Sequence, residues 1–244
     1  RLPPLENLSL KLRYHPDQKQ LSFEQIKMKL YQGVVSGKAQ LSLSGEENHL
    51  EAELQSLSLR QSGRLFLPQS ISIEGTVSGK IRATTPPDRV WEPKAQGELM
   101  LSNVTLSGLA LQRGEVVQKR APQFEVISLD RIAVSPLSID RRKLSWEMEG
   151  AGRDFDCTAK GSGTTDGAFR MTMPVTIHPK AHAKLPWLTQ TGLEATPEGG
   201  SRLTLQISGN LEKQRLDNYN QLFKSGFKHG LQNTSRTLLN KFKR

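Results

Sequence analysis

The chain has 244 residues, a net charge of +10, a hydrophobic fraction of 35% and one cysteine. The single cysteine excludes an intramolecular disulfide framework. The sequence contains no run of about 18 apolar residues, so it predicts no membrane-spanning helix. The length suits one all-β domain, but the hydrophobic fraction is low for a thick two-sheet sandwich. Composition therefore favours a thin or elongated sheet.

Apolar side chains alternate with polar ones from the beginning of the chain to about residue 211. The alternating series are Leu8-Leu10-Leu12-Tyr14, Ile26-Met28-Leu30, Ala39-Leu41-Leu43, Leu50-Ala52-Leu54, Ile71-Ile73, Leu99-Leu101, Phe124-Val126, Leu144-Trp146-Met148, Phe155-Cys157-Ala159, Phe169-Met171-Met173-Val175-Ile177 and Leu203-Leu205-Ile207. A period of two gives each strand one apolar and one polar face. At the usual spacing of turn signals, this region holds roughly fifteen to twenty strands. We therefore predict an all-β fold, a long antiparallel sheet that is curled into a groove or a partly closed sandwich.

A loose unit repeats within this region. Two clear copies are Gly33-Val34-Val35-Ser36-Gly37 and Gly75-Thr76-Val77-Ser78-Gly79. Glycine inside a strand often indicates a bulge or a bend, so the repeat favours an arched sheet. The single cysteine, Cys157, alternates with Phe155 and Ala159, and this pattern predicts a small buried hydrophobic side chain.

The period changes near Asp217, and we place a second region at residues 212–244. Residues 213–244 hold eight basic residues and one acidic residue, so most of the positive charge lies there. Apolar residues at helical spacing predict a basic amphipathic C-terminal helix. The helix could cap the sheet, lie on an anionic membrane or bind a protein partner. The residues predicted to contact a membrane or partner are Phe223, Lys224, Phe227, Lys228, Leu231, Arg236 and Lys241.

Signatures of catalysis and of bound metal are poor. The segment from Gly161 to Gly167 misses the dinucleotide-binding spacing by one residue and predicts a hairpin turn. His178 and His182 are four residues apart, but Pro179 lies between them, so a shared metal is not expected. Without the tail, the charge is too small for a nucleic-acid surface. We predict no enzyme activity, no catalytic residue, no cofactor, no metal and no nucleic-acid partner.

Several segments taken in order resemble a known family. They are Ile71-Ser72-Ile73-Glu74-Gly75-Thr76-Val77-Ser78-Gly79, Ala95-Gln96-Gly97-Glu98-Leu99-Met100-Leu101, Val104-Thr105-Leu106, Leu185-Pro186-Trp187-Leu188 and Arg202-Leu203-Thr204-Leu205-Gln206-Ile207-Ser208-Gly209-Asn210-Leu211. This order resembles the deltaproteobacterial type of the type II secretion system protein GspN over residues 60–212. Residues 5–59 are similar to a generic repeat of the AsmA-like β-groove proteins.

The resemblance implies a periplasmic domain held to the inner membrane by an N-terminal helix that this chain does not contain. It also implies a curled sheet without catalytic residues, associated with other secretion-system or envelope proteins. The basic tail departs from the family pattern.

We carry three hypotheses about function. The first is a non-enzymatic periplasmic β-scaffold of a type II secretion system. The second is an AsmA-like groove whose apolar face binds phospholipid acyl chains, which gain about 0.8 kcal/mol per buried methylene. The third is a sealed β-sandwich that binds a soluble ligand. The residues predicted to line the groove, or else to form a closed core, are Ile71, Ile73, Val77, Leu99, Leu101, Phe169, Met171, Met173, Val175, Ile177, Leu203, Leu205 and Ile207.

Overall fold

The chain is described from a computed structural model, which covers residues 6–64, 67, 71–89, 92–107, 126–184, 193–210 and 214–218. These residues form thirteen strands and two short helices. In chain order the elements are β1 (Glu6–His15), β2 (Gln20–Leu30), β3 (Gly33–Ser42), β4 (Asn48–Ser58), α1 (Leu59–Gly63), β5 (Ser72–Thr85), β6 (Lys94–Ser107), β7 (Val126–Asp140), β8 (Lys143–Ala151), β9 (Phe155–Thr164), β10 (Phe169–Ile177), α2 (Pro179–Lys184), β11 (Glu194–Ala195), β12 (Ser201–Gly209) and β13 (Gln214–Leu216). The predicted all-β fold is confirmed.

The thirteen strands form one antiparallel sheet that does not close on itself. From β1 to β10 each strand pairs with the next strand in the chain, and β12 then pairs with β10. The short strands β11 and β13 both pair with β12. Each long strand therefore contacts mainly its neighbours in sequence, which makes stability a sum of local pairings. The described residues contain no second sheet, so they do not form the sealed sandwich of the third hypothesis.

The described residues form fewer strands than the spacing of turn signals predicts for the region, because the main strands are long. Strands β5 and β6 each have 14 residues and β7 has 15. Where the sequence of a long strand departs from strict alternation, an irregular backbone position can return the next apolar side chain to the same face. Such a position occurs at Ser56 in β4, where φ is 52° and the pairing with β5 shifts between Leu54 and Leu57. The shift returns Leu57 to the face that Leu54 occupies.

A second irregular position that shifts the alternation lies in β6. Asn103 has φ of 52°, and the pairing of β5 with β6 shifts across Gly75. The apolar series therefore moves from odd-numbered Leu101 to even-numbered Val104. The irregularity expected at a glycine is found at Gly75, and Gly37 borders the register shift between β2 and β3, whereas Gly33 lies in regular pairing.

Buried side chains gather where the two helices lie against the sheet. Leu59 of α1 and Ala181 of α2 belong to one cluster with residues of β6, β7, β9 and β10. The other members are Val104, Leu129, Ile132, Cys157, Val175 and Ile177. Cys157 is buried as predicted, and burial raises the pKa of its thiol. Among the described residues no large side chain is less than 2% exposed, so this core is thin.

The sheet continues beyond residue 211, where the first predicted region ends. Gln214–Leu216 forms β13 and pairs with Ile207–Gly209, and Asp217 and Asn218 form a turn. The predicted C-terminal helix otherwise falls on residues 211–213 and 219–244, which lie outside the described residues.

Candidate apolar binding face

One face of the sheet carries apolar residues in rows that run across the strands. Residues in a row are directly opposite one another in neighbouring strands. The central row consists of Leu10, Ile26, Gly37, Ala52, Ile81, Gly97, Leu137, Trp146, Gly161, Met171 and Ile207. No polar side chain interrupts this row from β1 to β12. We call the surface that these rows share the apolar face.

Two further rows flank the central one. Toward the hairpin that joins β1 and β2, the row is Leu12, Phe23, Ala39, Leu50, Ala83, Ala95, Ile139, Leu144, Gly163, Phe169 and Gly209. On the other side, the row is Met28, Val35, Leu54, Gly79, Leu99, Val134, Met148 and Ala159. The apolar face is therefore at least three side chains wide along most strands.

A fourth row lies nearest the helices and contributes Ile132, Cys157 and Val175 to the buried cluster. It consists of Leu57, Val77, Leu101, Ile132, Gly150, Cys157, Val175 and Leu203. The apolar face thus has one margin covered by α1 and α2. Its opposite margin ends in the hairpin turns.

Twelve of the thirteen predicted lining residues lie in strands that contribute to this face. Val77, Leu101, Val175 and Leu203 are in the fourth row, and Leu99 is in the third. Met171 and Ile207 are opposite each other, as are Met173 and Leu205, and Phe169 is in the second row. Ile73 is opposite Leu106, and Ile177 is opposite Ser201. Ile71 directly precedes β5.

The prediction missed the strands that connect the predicted pairs. Ile132 and Val134 of β7 and Met148 of β8 lie between β6 and β10 and complete the rows. Strands β1–β4 also contribute to the rows, for example through Leu10 and Leu50. Their alternation was visible in the sequence, and the missing signal was the register that sets these residues opposite the others.

Exposure changes along the face. In β1, Leu8, Leu10, Leu12 and Tyr14 are 48–55% exposed, whereas Val104 is 4% exposed. Strand β1 therefore presents its apolar side chains to solvent, whereas the margin beside α1 and α2 hides those of the buried cluster.

Small residues within the rows leave space for larger neighbours. Gly161 is opposite both Trp146 and Met171. A Cβ atom at Gly161 would overlap the indole of Trp146. The indole therefore lies over the glycine, which is the reason that a small residue is needed at this position.

The opposite face is charged and carries cross-strand ion pairs. The Glu24 carboxylate lies 2.9 Å from Lys11 Nζ and 2.8 Å from Arg13 Nη1. The hydrogen bond from Lys11 and the charge of Arg13 lower the pKa of Glu24. In β4, Glu51 lies 3.0 Å from Lys38 Nζ. These exposed ion pairs make this face polar.

His178 connects the start of α2 to β9. Its Nε2 lies 2.8 Å from Asp156 Oδ2 and its Nδ1 lies 3.2 Å from the Arg153 carbonyl oxygen. Both partners accept hydrogen bonds, so only the doubly protonated ring donates to both. The hydrogen bond to Asp156 raises the pKa of His178. Within the described ranges, no group of three His, Cys, Asp or Glu side chains could hold a metal ion.

The predicted tail contacts cannot be placed on this surface. Phe223, Lys224, Phe227, Lys228, Leu231, Arg236 and Lys241 all lie outside the described residues. Neither helix in the described part of the chain has the length and apolar content that crossing a membrane requires.

The fold and its surface define an open antiparallel meander with one continuous apolar face. Comparison of the chain with protein-family models, with curated proteins and with solved structures finds no match. The resemblance to GspN and to the AsmA-like proteins therefore stays a prediction.

Proposed function

We propose that this protein binds lipid acyl chains along its apolar face. The observation that carries the proposal is the set of apolar rows, which cross eleven strands and leave Leu10 and Leu12 about half exposed. An exposed apolar surface of this length is costly in water unless a ligand or partner covers it. An acyl chain has no polar groups to satisfy and gains about 0.8 kcal/mol per methylene transferred from water.

The charged face and the shape of the rows support the same ligand class. Ion pairs such as Lys11–Glu24 and Lys38–Glu51 lie on the opposite face, so only one side of the sheet suits an apolar chain. Gly97 in the central row lies between Ile81 and Leu137 and lowers the surface between these larger side chains. A flexible acyl chain can follow such an uneven surface, whereas a rigid soluble ligand needs a closed pocket.

The experiment is lipid extraction from the purified chain followed by mass spectrometry. We expect phospholipid in a defined ratio to protein. Leu50→Glu places a charge in the second row at a site that is 43% exposed, so it should remove bound lipid without unfolding the sheet. Met100→Glu is the matched control, because Met100 lies on the opposite face and is 37% exposed.

Two results would contradict lipid binding. One is protein that carries no lipid after purification and takes up none from phospholipid vesicles. The other is equal lipid loss in the Leu50 and Met100 variants, which would show that the charge acts without regard to face. Circular dichroism of each variant checks that the strand content is kept.

We also propose a role as a periplasmic, non-enzymatic scaffold of a type II secretion system, held to the inner membrane. The sequential strand order supports this second proposal, because a sheet that grows strand by strand forms an extended platform. Co-purification with secretion components from a cell envelope, and the secretion defect of a strain that lacks the chain, would test it.

A further inference from the structure

The two edges of the sheet differ in what pairs with their outward backbone groups. At the C-terminal edge, β11 pairs with Ser201 and Arg202 of β12, and β13 pairs with Ile207–Gly209. Between these two short strands the side chain of Asn218 takes the place of a strand. Its Oδ1 accepts a hydrogen bond from the Gln206 N–H at 3.0 Å, and its Nδ2 donates to the Thr204 carbonyl at 2.7 Å.

The N-terminal edge has no comparable cover among the described residues. There β1 pairs only with β2, so the outward N–H and C=O groups of β1 lack a strand partner within the described ranges. Its apolar side chains are about half exposed. An exposed edge strand with apolar side chains is a template for another extended segment.

The charge pattern of β1 disfavours a second copy of the same strand. Asn7 has φ of 53°, and the register shifts between Glu6 and Ser9, so the regular part of β1 begins at Ser9. Two-fold antiparallel pairing that keeps the apolar side chains on one face and uses at least five of the residues from Ser9 to His15 sets like charges opposite each other. The pairs are Lys11 with Lys11, Lys11 with Arg13, or Arg13 with Arg13. Like charges directly opposite one another destabilise a sheet.

Opposite charges in the incoming strand would reverse this effect. Lys11 and Arg13 share the single carboxylate of Glu24, and on the same face β2 adds Lys27 and also Lys29, which is opposite Glu6. The edge therefore has an excess of positive charge on one face and Leu10, Leu12 and Tyr14 on the other.

We propose that the β1 edge binds an extended segment of another protein in which apolar residues alternate with acidic ones. The segment adds a strand beside β1. Its apolar side chains extend the rows that contain Leu10 and Leu12, and its carboxylates lie opposite Lys11 and Arg13. This docking does not depend on lipid binding, because it uses the backbone and the charged face of β1.

The test uses two short fluorescent peptides, one that alternates Leu with Glu and one that alternates Leu with Lys. We expect the acidic peptide to bind the full chain and the basic peptide to bind at least tenfold more weakly. Hydrogen exchange should slow at the outward amides of β1 on addition of the acidic peptide, with the amides of β12 unchanged.

Charge reversal provides the matched variants. The double change Lys11→Glu with Arg13→Glu should weaken the acidic peptide about tenfold and strengthen the basic one. If repulsion from Glu24 unfolds the charge-reversed variant, the neutral double change Lys11→Gln with Arg13→Gln replaces it in the test. This neutral variant should bind the acidic and the basic peptide with equal affinity. Lys38→Glu, on the same face of β3, is the control and should leave both affinities unchanged.

Other occupants would give different results. Concentration-dependent dimerisation with protection of β1 would overturn the proposal in favour of a second copy. Protection of β1 by anionic phospholipid vesicles without peptide would assign the edge to a membrane surface. Equal affinity for both peptides, or no binding by the acidic one, would also overturn it. None of these results alters the extracted lipid, so failure here is distinguishable from failure of lipid binding.

Discussion

The apolar side chains of β1 and those at the helix-covered margin of β6–β10 have the same alternating sequence pattern but different burial. Leu10 and Leu12 of β1 are 48% and 53% exposed, whereas Val104 and Ile177 at that margin are both 4% exposed. The difference comes from α1 and α2, whose Leu59 and Ala181 pack with the C-terminal strands. Alternation decides which face is apolar, and a covering element decides whether that face is buried.

This difference divides stability between the two regions. Burial of a Val, Leu or Ile side chain contributes about 1.5–3 kcal/mol, and the described buried cluster lies almost wholly on β6–β10 and the helices. The N-terminal strands depend more on ladder hydrogen bonds and on cross-strand contacts, which contribute about 0.2–1 kcal/mol per pair. We therefore expect the N-terminal strands to open more readily.

The largest expected effect comes from placing a charge in each region. Ile132→Asp should lower the free energy of unfolding by about 3–5 kcal/mol, because Ile132 is 8% exposed and its replacement is a buried carboxylate. Leu12→Asp should cost less than about 1 kcal/mol. Urea unfolding followed by circular dichroism measures both. Equal losses of unfolding free energy in the two variants would contradict the proposed difference in burial between the two regions.

The second-largest expected effect is the loss of stability when Asn218, which covers part of the β12 edge, is replaced. Asn218 is 8% exposed and makes hydrogen bonds to both Gln206 and Thr204. Asn218→Ala should cost about 1–3 kcal/mol, because it leaves a backbone donor and an acceptor of β12 unpaired. Asn218→Asp keeps an acceptor for Gln206 but sets a carboxylate oxygen against the Thr204 carbonyl, so it should also destabilise. Faster hydrogen exchange at the Gln206 amide in these variants would show that its hydrogen bond to Asn218 is lost. Unchanged exchange would contradict the role of Asn218 in covering this edge.

The smallest effect is a pH dependence at the margin that α2 covers. The hydrogen bond to Asp156 raises the pKa of His178 above its ordinary value of 6.5. The ring therefore contributes stability that is fully present below pH 6.5 and is lost as pH rises through its folded-state pKa. Because the side chain is 32% exposed, the loss should stay below about 1 kcal/mol.

Thermal unfolding of the chain and of His178→Gln, measured across this pH range, isolates the contribution. The difference in melting temperature between the two proteins should shrink as pH rises. A difference that grows with pH would mean that His178 is stabilised in its neutral form.

The sequence predicted the fold class but not the full extent of the candidate site. Alternation identified Met171, Met173 and Leu205 as members of one face, and the register confirms that Met171 is opposite Ile207 and Met173 opposite Leu205. Alternation could not show that β7–β9 join these strands to β5 and β6. Register depends on long-range pairing and on bulges such as the one at Ser56, and a serine there has no sequence signature.

The hairpin between β2 and β3 shows a similar limit. Tyr31 and Gln32 both have positive φ, 49° and 64°, in a two-residue turn. Such turns favour Asn-Gly or Asp-Gly, so Tyr-Gln carries no local signal. Here the pairing of the flanking strands determines the turn.

By itself the sequence determined that the chain is a sheet with one apolar and one polar face, because a period of two is a property of each strand alone. It also determined that Cys157 is buried, since the residue alternates with Phe155 and Ala159. Only the tertiary structure decided that the sheet stays open and that α1 and α2 cover one margin. It also decided that one edge is capped while β1 has no outer strand partner among the described residues. These features depend on contacts between residues distant in sequence, which no local pattern records.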